Sequence, residues 1–352
     1  MASVTIYDVA ARAGVSIKTV SRVMNKEPNV RPAMRDRVLE AANALDYSPN
    51  LSARSLAGSR SFVIAVFVDA ALTIDHWKSE RGADYLSRIQ LGATLQCRDA
   101  GYHLLIELID HDAPRVRQEV AALLAALKPD GVILTPPSSD NETVLGLLDK
   151  AGTPYVRLGP ERPQGLGPRV HMDDFAAARE MTQHLAGLGH RRIGFIVGEP
   201  RYGASQARRA GYLDAMKQLN LPVADSWVRQ GDFTFQSGLE QAKALLSLPD
   251  RPTAIFASND DMALGCLTAA AEAGLMVPGE ISIAGFDDSP SARFSRPQLT
   301  TVRQPVVEMA SLATRLLISG EIKGSSSQDE PLDALLPFEL IHRASTAPPP
   351  AP

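Results

Sequence analysis

The segment TIYDVAARAGVSIKTVSRVMN, residues 5–25, carries two short helical patterns on either side of a glycine. From Tyr7 to Ala13, Val9, Ala10 and Ala13 recur at helical spacing, and Thr5 precedes them as a candidate N-cap. Gly14 breaks the pattern, because glycine takes the positive φ of a tight turn without steric cost. Ser16 can cap a second helix, Ile17–Met24. A third is predicted from Pro32 to Leu45, with Pro32 in its first turn and an apolar stripe of Val38, Leu39, Ala42 and Leu45. Helix, glycine turn and a Ser/Thr-rich second helix make a helix-turn-helix. In that motif the second helix enters the major groove of DNA and its first residues reach base edges. Ile17, Lys18 and Arg22 are the candidate base readers, and Thr19 and Ser21 can bind phosphate. Tyr7, Ser16 and Asn25 complete the candidate contact set.

Charge agrees with that reading. The whole chain of 352 residues has a formal net charge of −4, which by itself argues against a nucleic-acid binder. Residues 1–60, however, hold nine Lys/Arg against five Asp/Glu, a head of +4 on a body of −8. A basic head on an acidic body implies that the head touches a polyanion and the body does something else. With 45% apolar and 22% charged residues the chain is globular, which excludes wholesale disorder and fibrous classes. Cys97 and Cys266 stand far apart with no CxxC and no nearby histidine, so neither a disulfide framework nor a metal site is expected. No apolar run approaches the roughly 18 residues that span a membrane, and the N-terminus lacks a signal-like core. A cytoplasmic protein without membrane partners is expected.

Further along, Ser48–Gly58 reads as a connector. Pro49 forces extension before it, Asn50 can cap the segment after it, and Leu51–Ala57 suits about two helical turns, marginal in water without a partner. From Phe62 the pattern changes to short apolar strands alternating with longer helices. Strands are predicted at 62–68, 103–108, 131–134, 155–158, 192–197, 254–257 and 281–286. Such alternation means right-handed βαβ units and buried parallel sheets. Roughly 280 residues exceed one comfortable core, so two α/β lobes are expected.

The head resembles the lactose-repressor (LacI/GalR) family of bacterial transcription regulators. Thr5-Ile6-Tyr7-Asp8-Val9-Ala10, Ala13-Gly14-Val15-Ser16 and Thr19-Val20-Ser21-Arg22 match its signature, and Tyr47-Ser48-Pro49-Asn50 with Ala53-Arg54-Ser55-Leu56 is similar to its hinge helix. The resemblance implies a minor-groove hinge in which Asn50, Ala53 and above all Leu56, the candidate wedge, touch DNA. An apolar wedge offsets the cost of unstacking by burying surface and permitting a bend.

The body resembles periplasmic sugar-binding proteins, two lobes around a cleft, and the resemblance implies the effector residues. Ser205 to Tyr212 places Arg208 where the family grips its effector. Ala257-Ser258-Asn259-Asp260 and Gly285-Phe286-Asp287-Asp288 turn Asn259 and Asp287 to the cleft. Phe233 follows Gly231-Asp232, Tyr85 falls at a cleft aromatic, Asp173 falls in the family's D-N motif, here altered to Asp173-Asp174, and Gln304 follows Leu299-Thr300-Thr301. The alternative for these side chains is structural, helix capping or bonding between helices. Two departures flank the expected cleft: Arg157-Leu158-Gly159-Pro160 stands where many relatives carry an acid, and Asp69–Gly82, with His76 and Trp77, is longer and more polar than usual.

Enzyme signatures are wanting. Gly165-Leu166-Gly167 lacks the third glycine of a dinucleotide loop, and no GxxxxGK[ST], HExxH or GxSxG occurs. No catalytic role, metal or cofactor is expected. The expected organisation is residues 1–47 as a helix-turn-helix DNA-binding domain, 48–60 as hinge, 61–343 as a two-lobed, periplasmic-binding-protein-like α/β core for effector binding and dimerisation, and 344–352 as a disordered tail. The resemblance implies a homodimeric repressor of carbohydrate genes that reads a pseudo-palindromic operator in double-stranded DNA. A small sugar or glycoside would release it. A co-repressed regulator using a purine or phosphorylated sugar is the alternative, with a solute-binding protein or sugar-processing enzyme behind it. The last nine residues hold four prolines and no heptads, so a dimer rather than a tetramer is expected, through helix faces such as Leu86/Ile89 or Leu264/Leu267.

Overall fold

The structure is a computed structural model that describes residues 4–24, 29–47, 60–79, 84–111, 115–161, 167–322 and 331–350. It divides into two compact units, Met1–Phe62 and Val63–Pro352.

In the first unit α1 spans Ile6–Ala13, α2 Ile17–Met24 and α3 Pro32–Ala44. The start of α1 is fixed by Asp8, whose carboxylate accepts from the Thr5 backbone N–H at 2.8 Å and from its hydroxyl at 2.7 Å. Gly14 has φ 62°, as the turn requires, and Arg37 Nη2 donates to Ala13 O at 2.5 Å, tying α3 to that turn. Val9, Ala13, Val20, Val23, Val38 and Ala42 meet in a small shared core. The connector, with Asn50, Ala53 and Leu56, lies outside the described residues, as does Asn25.

The second unit holds two sheets. The first-lobe strands are β1 (Val63–Asp69), β2 (His103–Ile109), β3 (Gly131–Leu134), β4 (Tyr155–Leu158), β5 (Arg169–His171) and, late in the chain, β11 (Asp333–Leu335). They pair in parallel in the order β11-β5-β4-β3-β1-β2, with Val63 opposite His103 and Ile64 opposite Gly131. In the second lobe β6 (Ile193–Val197), β7 (Val228–Gln230), β8 (Ala254–Ala257) and β9 (Ser282–Ala284) form a parallel sheet in the order β7-β6-β8-β9. An antiparallel pair, β10 (Thr301–Arg303) and β12 (Glu339–Ile341), lies in a separate sheet. The central strands are buried on both faces, as the continuous apolar runs predicted.

Helices cover both sheets: α4 (Ala70–Ser79), α5 (Asp84–Ala100), α6 (Val116–Leu127), α7 (Glu142–Ala151), α8 (Asp174–Gly187), α9 (Gly203–Gln218), α10 (Phe235–Leu246), α11 (Asp260–Glu272), α12 (Pro290–Phe294) and α13 (Val306–Ser319). The last, although it comes after the second-lobe strands, packs on α5 of the first lobe. The chain therefore crosses between the lobes near residues 172–174, near 304–306 and again between β11 and β12. These crossings bring distant segments together at one cleft.

The Asp69–Gly82 stretch contains a helix, α4, capped by Asp69, whose Oδ1 accepts from Leu72 N–H at 2.9 Å. Two expectations are corrected. Residues 344–350 are not a frayed tail: Ser345 is fully buried, donates to Ile283 O at 2.6 Å and accepts from Thr300 N–H at 2.8 Å. Of the suggested pairing faces, Leu86/Ile89 loses Ile89, which is buried within its own lobe, while Leu264 and Leu267 are half-buried against the second-lobe core. On α5 the large apolar residues left exposed are Leu91 and Leu95.

Candidate functional site

In the head unit, Ser16 Oγ accepts from Thr19 N–H at 3.2 Å and lies 2.9 Å from Thr19 Oγ1, so Ser16 caps α2. With Val20 and Val23 turned into the core, Ile17, Lys18 and Arg22 fall on the exposed side. Tyr7 is also exposed, while Thr19 and Ser21 are half-buried. The geometry is that of a helix whose N-terminal turn and outer face are exposed on the side that would meet a groove.

The second unit has a cleft between its lobes, with about 1140 Å³ of free space including its open mouth. Arg208 rises into it from α9 and is almost fully buried. Its Nε donates to Asp174 Oδ1 at 2.8 Å, its Nη1 donates to Ser258 O at 2.6 Å, and its guanidinium lies 3.6 Å over the Phe286 ring. A carboxylate, a carbonyl and a π face thus fix a desolvated planar fork in one orientation.

Asp287 lines the cleft on the turn after Phe286, with φ 129°, and Asp288 comes next with φ 55°. Both dihedrals are costly for non-glycine residues and persist only where neighbours over-determine them. The neighbours are visible. Arg88 of α5 donates to Asp287 O at 2.7 Å and to Asp288 O at 2.5 Å, while Asp84 holds Arg88 Nε at 2.7 Å. The Asp288 carboxylate is fully buried among Arg293, Arg303 and Arg343. Burial alone would raise that carboxyl, but hydrogen bonds from the three guanidiniums outweigh it and hold it below the usual range. Asp287 goes the other way. Burial and the nearby Asp260 push it up, against Arg208 and the Gln304 amide that donates to its Oδ1. Asp260 lies behind the wall and receives Thr301 Oγ1 at 2.6 Å and Ser289 N–H at 2.7 Å.

The aromatic side is built from Phe233 and Tyr202, edge to face at 5.8 Å, with Tyr85 and Trp77. Phe233 has φ 71°, and a Cβ on Gly198 would sit 2.1 Å from its ring, so that glycine makes room for it. Burial, then the charge of Asp174, raises the Tyr85 hydroxyl. Asn259 also lines the cleft, but its amide is committed: Oδ1 accepts from Met262 N–H at 3.0 Å and Nδ2 donates to Phe233 O at 2.9 Å. It caps α11 and holds the Phe233 loop.

The residues read from the sequence as effector ligands therefore divide. Tyr85, Arg208, Phe233, Asn259, Asp287 and Gln304 all line the cleft. Asp173 does not line it. Its carboxylate accepts from Ala176 N–H at 2.8 Å and caps α8, and the next residue, Asp174, faces the cleft instead. Sequence reasoning also missed Asp69, Leu72 and Thr73 near α4, and Asp84. The unusual Asp69–Gly82 stretch was the available signal, and Trp77 and His76 within it do line the cleft. Arg157, the other departure, is withdrawn from the cleft: it is fully buried, donating to Ser139 O at 2.5 Å and Asp140 Oδ1 at 2.6 Å.

Comparison with known proteins bears on both units. Residues 5–50 match bacterial regulatory proteins of the lacI family, and residues 182–346 match a periplasmic binding protein-like domain. The chain is 35% identical to catabolite control protein A of Priestia megaterium, over 90% of this chain and 92% of that protein. It is similar to the solved transcriptional regulator CelR in complex with cellobiose, with 31% identity, TM-score 0.70, and 97% and 99% of the two chains covered. It also resembles the lac repressor dimer bound to operator and the anti-inducer ONPF, with 27% identity, TM-score 0.79, and coverage of 98% and 100%.

Proposed function

The chain belongs to the lacI family of bacterial regulatory proteins, a DNA-binding transcriptional regulator, and we propose that it is a homodimeric repressor released from a pseudo-palindromic operator by a small sugar or glycoside. The observation that carries this reading is the cleft itself. A fixed guanidinium, a half-buried carboxylate with its amide partner and an aromatic wall converge from both lobes on one cavity. Planar forks and carboxylates suit paired hydroxyls, and aromatic rings suit the apolar face of a sugar ring. The cellobiose complex of the similar regulator supports a saccharide, and the operator-bound dimer of the similar repressor supports two heads on one site.

In this reading Ile17, Lys18 and Arg22 meet base edges, and Tyr7, Ser16, Thr19, Ser21 and Asn25 fix the head on the backbone. Asn50, Ala53 and Leu56 act from the hinge segment in the minor groove. The protein works in the cytoplasm, where its operator is. An effector acts only by binding the DNA-competent and incompetent lobe arrangements with different affinity. Arg88, donating from the first lobe to the turn that carries Asp287, is placed to sense that difference.

The test is an operator-binding titration with and without cellobiose and related sugars. Release by one of them supports induction. Tighter binding in the presence of a purine or phosphorylated sugar would replace the inducer by a co-repressor.

A further inference from the structure

Besides the bonds from Arg88, the lobes touch at the turn between β6 and α9, residues Glu199–Gly203. The turn is held by its own bonds. Glu199 Oε1 accepts from Arg201 N–H at 3.3 Å and from Arg201 Nε at 3.1 Å, and Glu199 O accepts from Tyr202 N–H at 3.1 Å and from Ser205 Oγ at 2.7 Å. Two of its residues reach the first lobe. Arg201 Nη1 stands 3.5 Å from Asp69 Oδ2, and the Asp69 carboxylate, 4% exposed, caps α4 with its other oxygen. A Cβ on Gly203 would fall 2.2 Å from Glu161 Cβ and 2.8 Å from Glu161 Cα, so the start of α9 comes this close only because the residue is glycine. Tyr202 and Ala204, on either side of Gly203, line the cleft.

The first-lobe side of this contact is set by Arg157, the residue that departs from the family pattern and turns away from the cleft. A fully buried guanidinium is costly unless its bonds are well matched. Here Nη2 donates to Asp140 Oδ1 at 2.6 Å and Nε donates to Ser139 O at 2.5 Å. The other oxygen of Asp140 accepts from Glu161 N–H at 2.7 Å. Charge-assisted bonds therefore run from Arg157 through Asp140 to the backbone that Gly203 meets. Burial, then the charge of Asp69, raises the Tyr202 hydroxyl, as fits a turn seated beside that carboxylate.

We propose that the turn Glu199–Gly203 is a latch across the cleft: Arg201 on Asp69 and Gly203 on Glu161 hold the lobes together, and Arg157 is the positioning residue of its first-lobe half. The inference rests on the reading of the chain as a regulator switched by the arrangement of its lobes, and it assigns that switch a fastening. The Arg201 side chain is 36% exposed, so water screens its pairing with Asp69. A fastening of that strength biases an equilibrium without locking it, which is what an effector that selects between two arrangements requires.

The experiment measures the distance between the lobes in the full chain without ligand, by electron spin resonance. Spin labels go on Lys78→Cys of α4 and Gln236→Cys of α10, both exposed and on different lobes, while the native Cys97 and Cys266 are buried. Dilution with unlabelled chain leaves one labelled chain per assembly. The parent should populate the distance of this structure. Arg201→Gln should move the ratio of short to long distances about two- to fivefold toward the long ones, and Arg201→Lys should retain most of the short. Asp69→Asn keeps the oxygen that caps α4, and adding it to Arg201→Gln should change nothing more if the two residues act as a pair. Gly203→Ala suits a helix start, so it should fold, yet its Cβ wedges the lobes apart, and Glu161→Gly should partly restore closure in that background. Arg157→Met should open the lobes as Gly203→Ala does, with Asp140→Asn breaking the same chain of bonds if the Met variant does not fold. A parent without the short distance, distributions unmoved by Arg201→Gln and Gly203→Ala, or additive effects of Asp69→Asn and Arg201→Gln overturn the latch. Unmoved distributions for both Arg157→Met and Asp140→Asn remove Arg157 from it. Cellobiose and related sugars are then added. If none shifts the distances or releases operator while the variants still open the lobes, the sugar reading falls and the latch stands. If a sugar releases operator while the variants leave the lobes unmoved, the latch falls and the sugar reading stands.

Discussion

Arg208 and Arg22 have the same side chain in opposite surroundings, and their expected mutant behaviour differs accordingly. Arg22 is exposed on α2, where losing a bidentate base contact costs ~1–3 kcal/mol of discrimination. Arg22→Ala should therefore narrow the gap between operator and random DNA in a competition assay; an unchanged gap would remove it from base reading. Exchanging Ile17 and Lys18 should alter which operator is selected from a random pool. Arg208 is enclosed by Asp174, Ser258 O and the Phe286 ring. Arg208→Ala leaves that carboxylate without its cation and should destabilise the fold by ~3 kcal/mol or more. Operator binding should persist below the melting temperature while the effector response disappears, and calorimetry detecting normal effector binding would refute the role.

At the scale of elements, the helices pack closely through glycines and the C-terminal strap is integral. A Cβ on Gly211 of α9 would fall 2.2 Å from Phe175 O and 3.0 Å from Arg179 N of α8, so Gly211→Ala must push two backbones apart. A cost of ~1–3 kcal/mol is expected in denaturant melts. Deleting residues 344–352 removes Ser345 from Ile283 and Thr300, and Ala347 O from His190 Nε2 at 2.9 Å. Buried groups left unpaired cost ~1–3 kcal/mol each, so the truncated protein should melt at least about 4 °C lower. The same strap gives a pH dependence. Burial, then His342 and His190, hold the His184 imidazole down to about 4. The unfolded chain takes up that proton first, so stability present above the ordinary value of 6.5 is lost as pH falls toward about 4. His184→Asn should flatten the melting-temperature profile over that window, and a profile parallel to the parent's would assign the loss elsewhere.

For the whole molecule, the proposed assembly has measurable consequences. Light scattering should give about twice 37.8 kDa at micromolar concentration, and a value near four times that mass would overturn the dimer. A palindrome should bind far more tightly than one half-site, because the first head raises the effective concentration of the second. The basic head implies affinity that falls steeply with salt, by about 0.9 log unit per log of salt for each phosphate neutralised. The acidic body should not bind DNA by itself.

The head was legible because each of its elements is specified locally. Asp8 and Thr5, Gly14, Ser16 and Pro32 fix starts and stops within a few residues of themselves, and Val9, Ala13 and Val20 reveal their buried faces by spacing. The longer strands of both lobes were legible for a similar reason, since strands buried on both faces are continuous apolar runs. Three-residue strands such as β5, β7, β10, β11 and β12 carry no periodicity of their own and exist through their pairing partners. The cleft was half legible. Arg208, Asp287 and Gln304 sit in recognisable motifs, but nothing local distinguishes Asp173, which caps a helix, from Asp174, which faces the cavity. Nor could spacing reveal that Asp69 is buried beside the residues of another lobe, that Arg157 turns away, or that Ser345 closes the second lobe. Those outcomes depend on where the chain crosses between lobes, which brings together groups more than 200 residues apart. The sequence determined the elements and the chemistry available, and the tertiary structure decided which charges share one low-dielectric space.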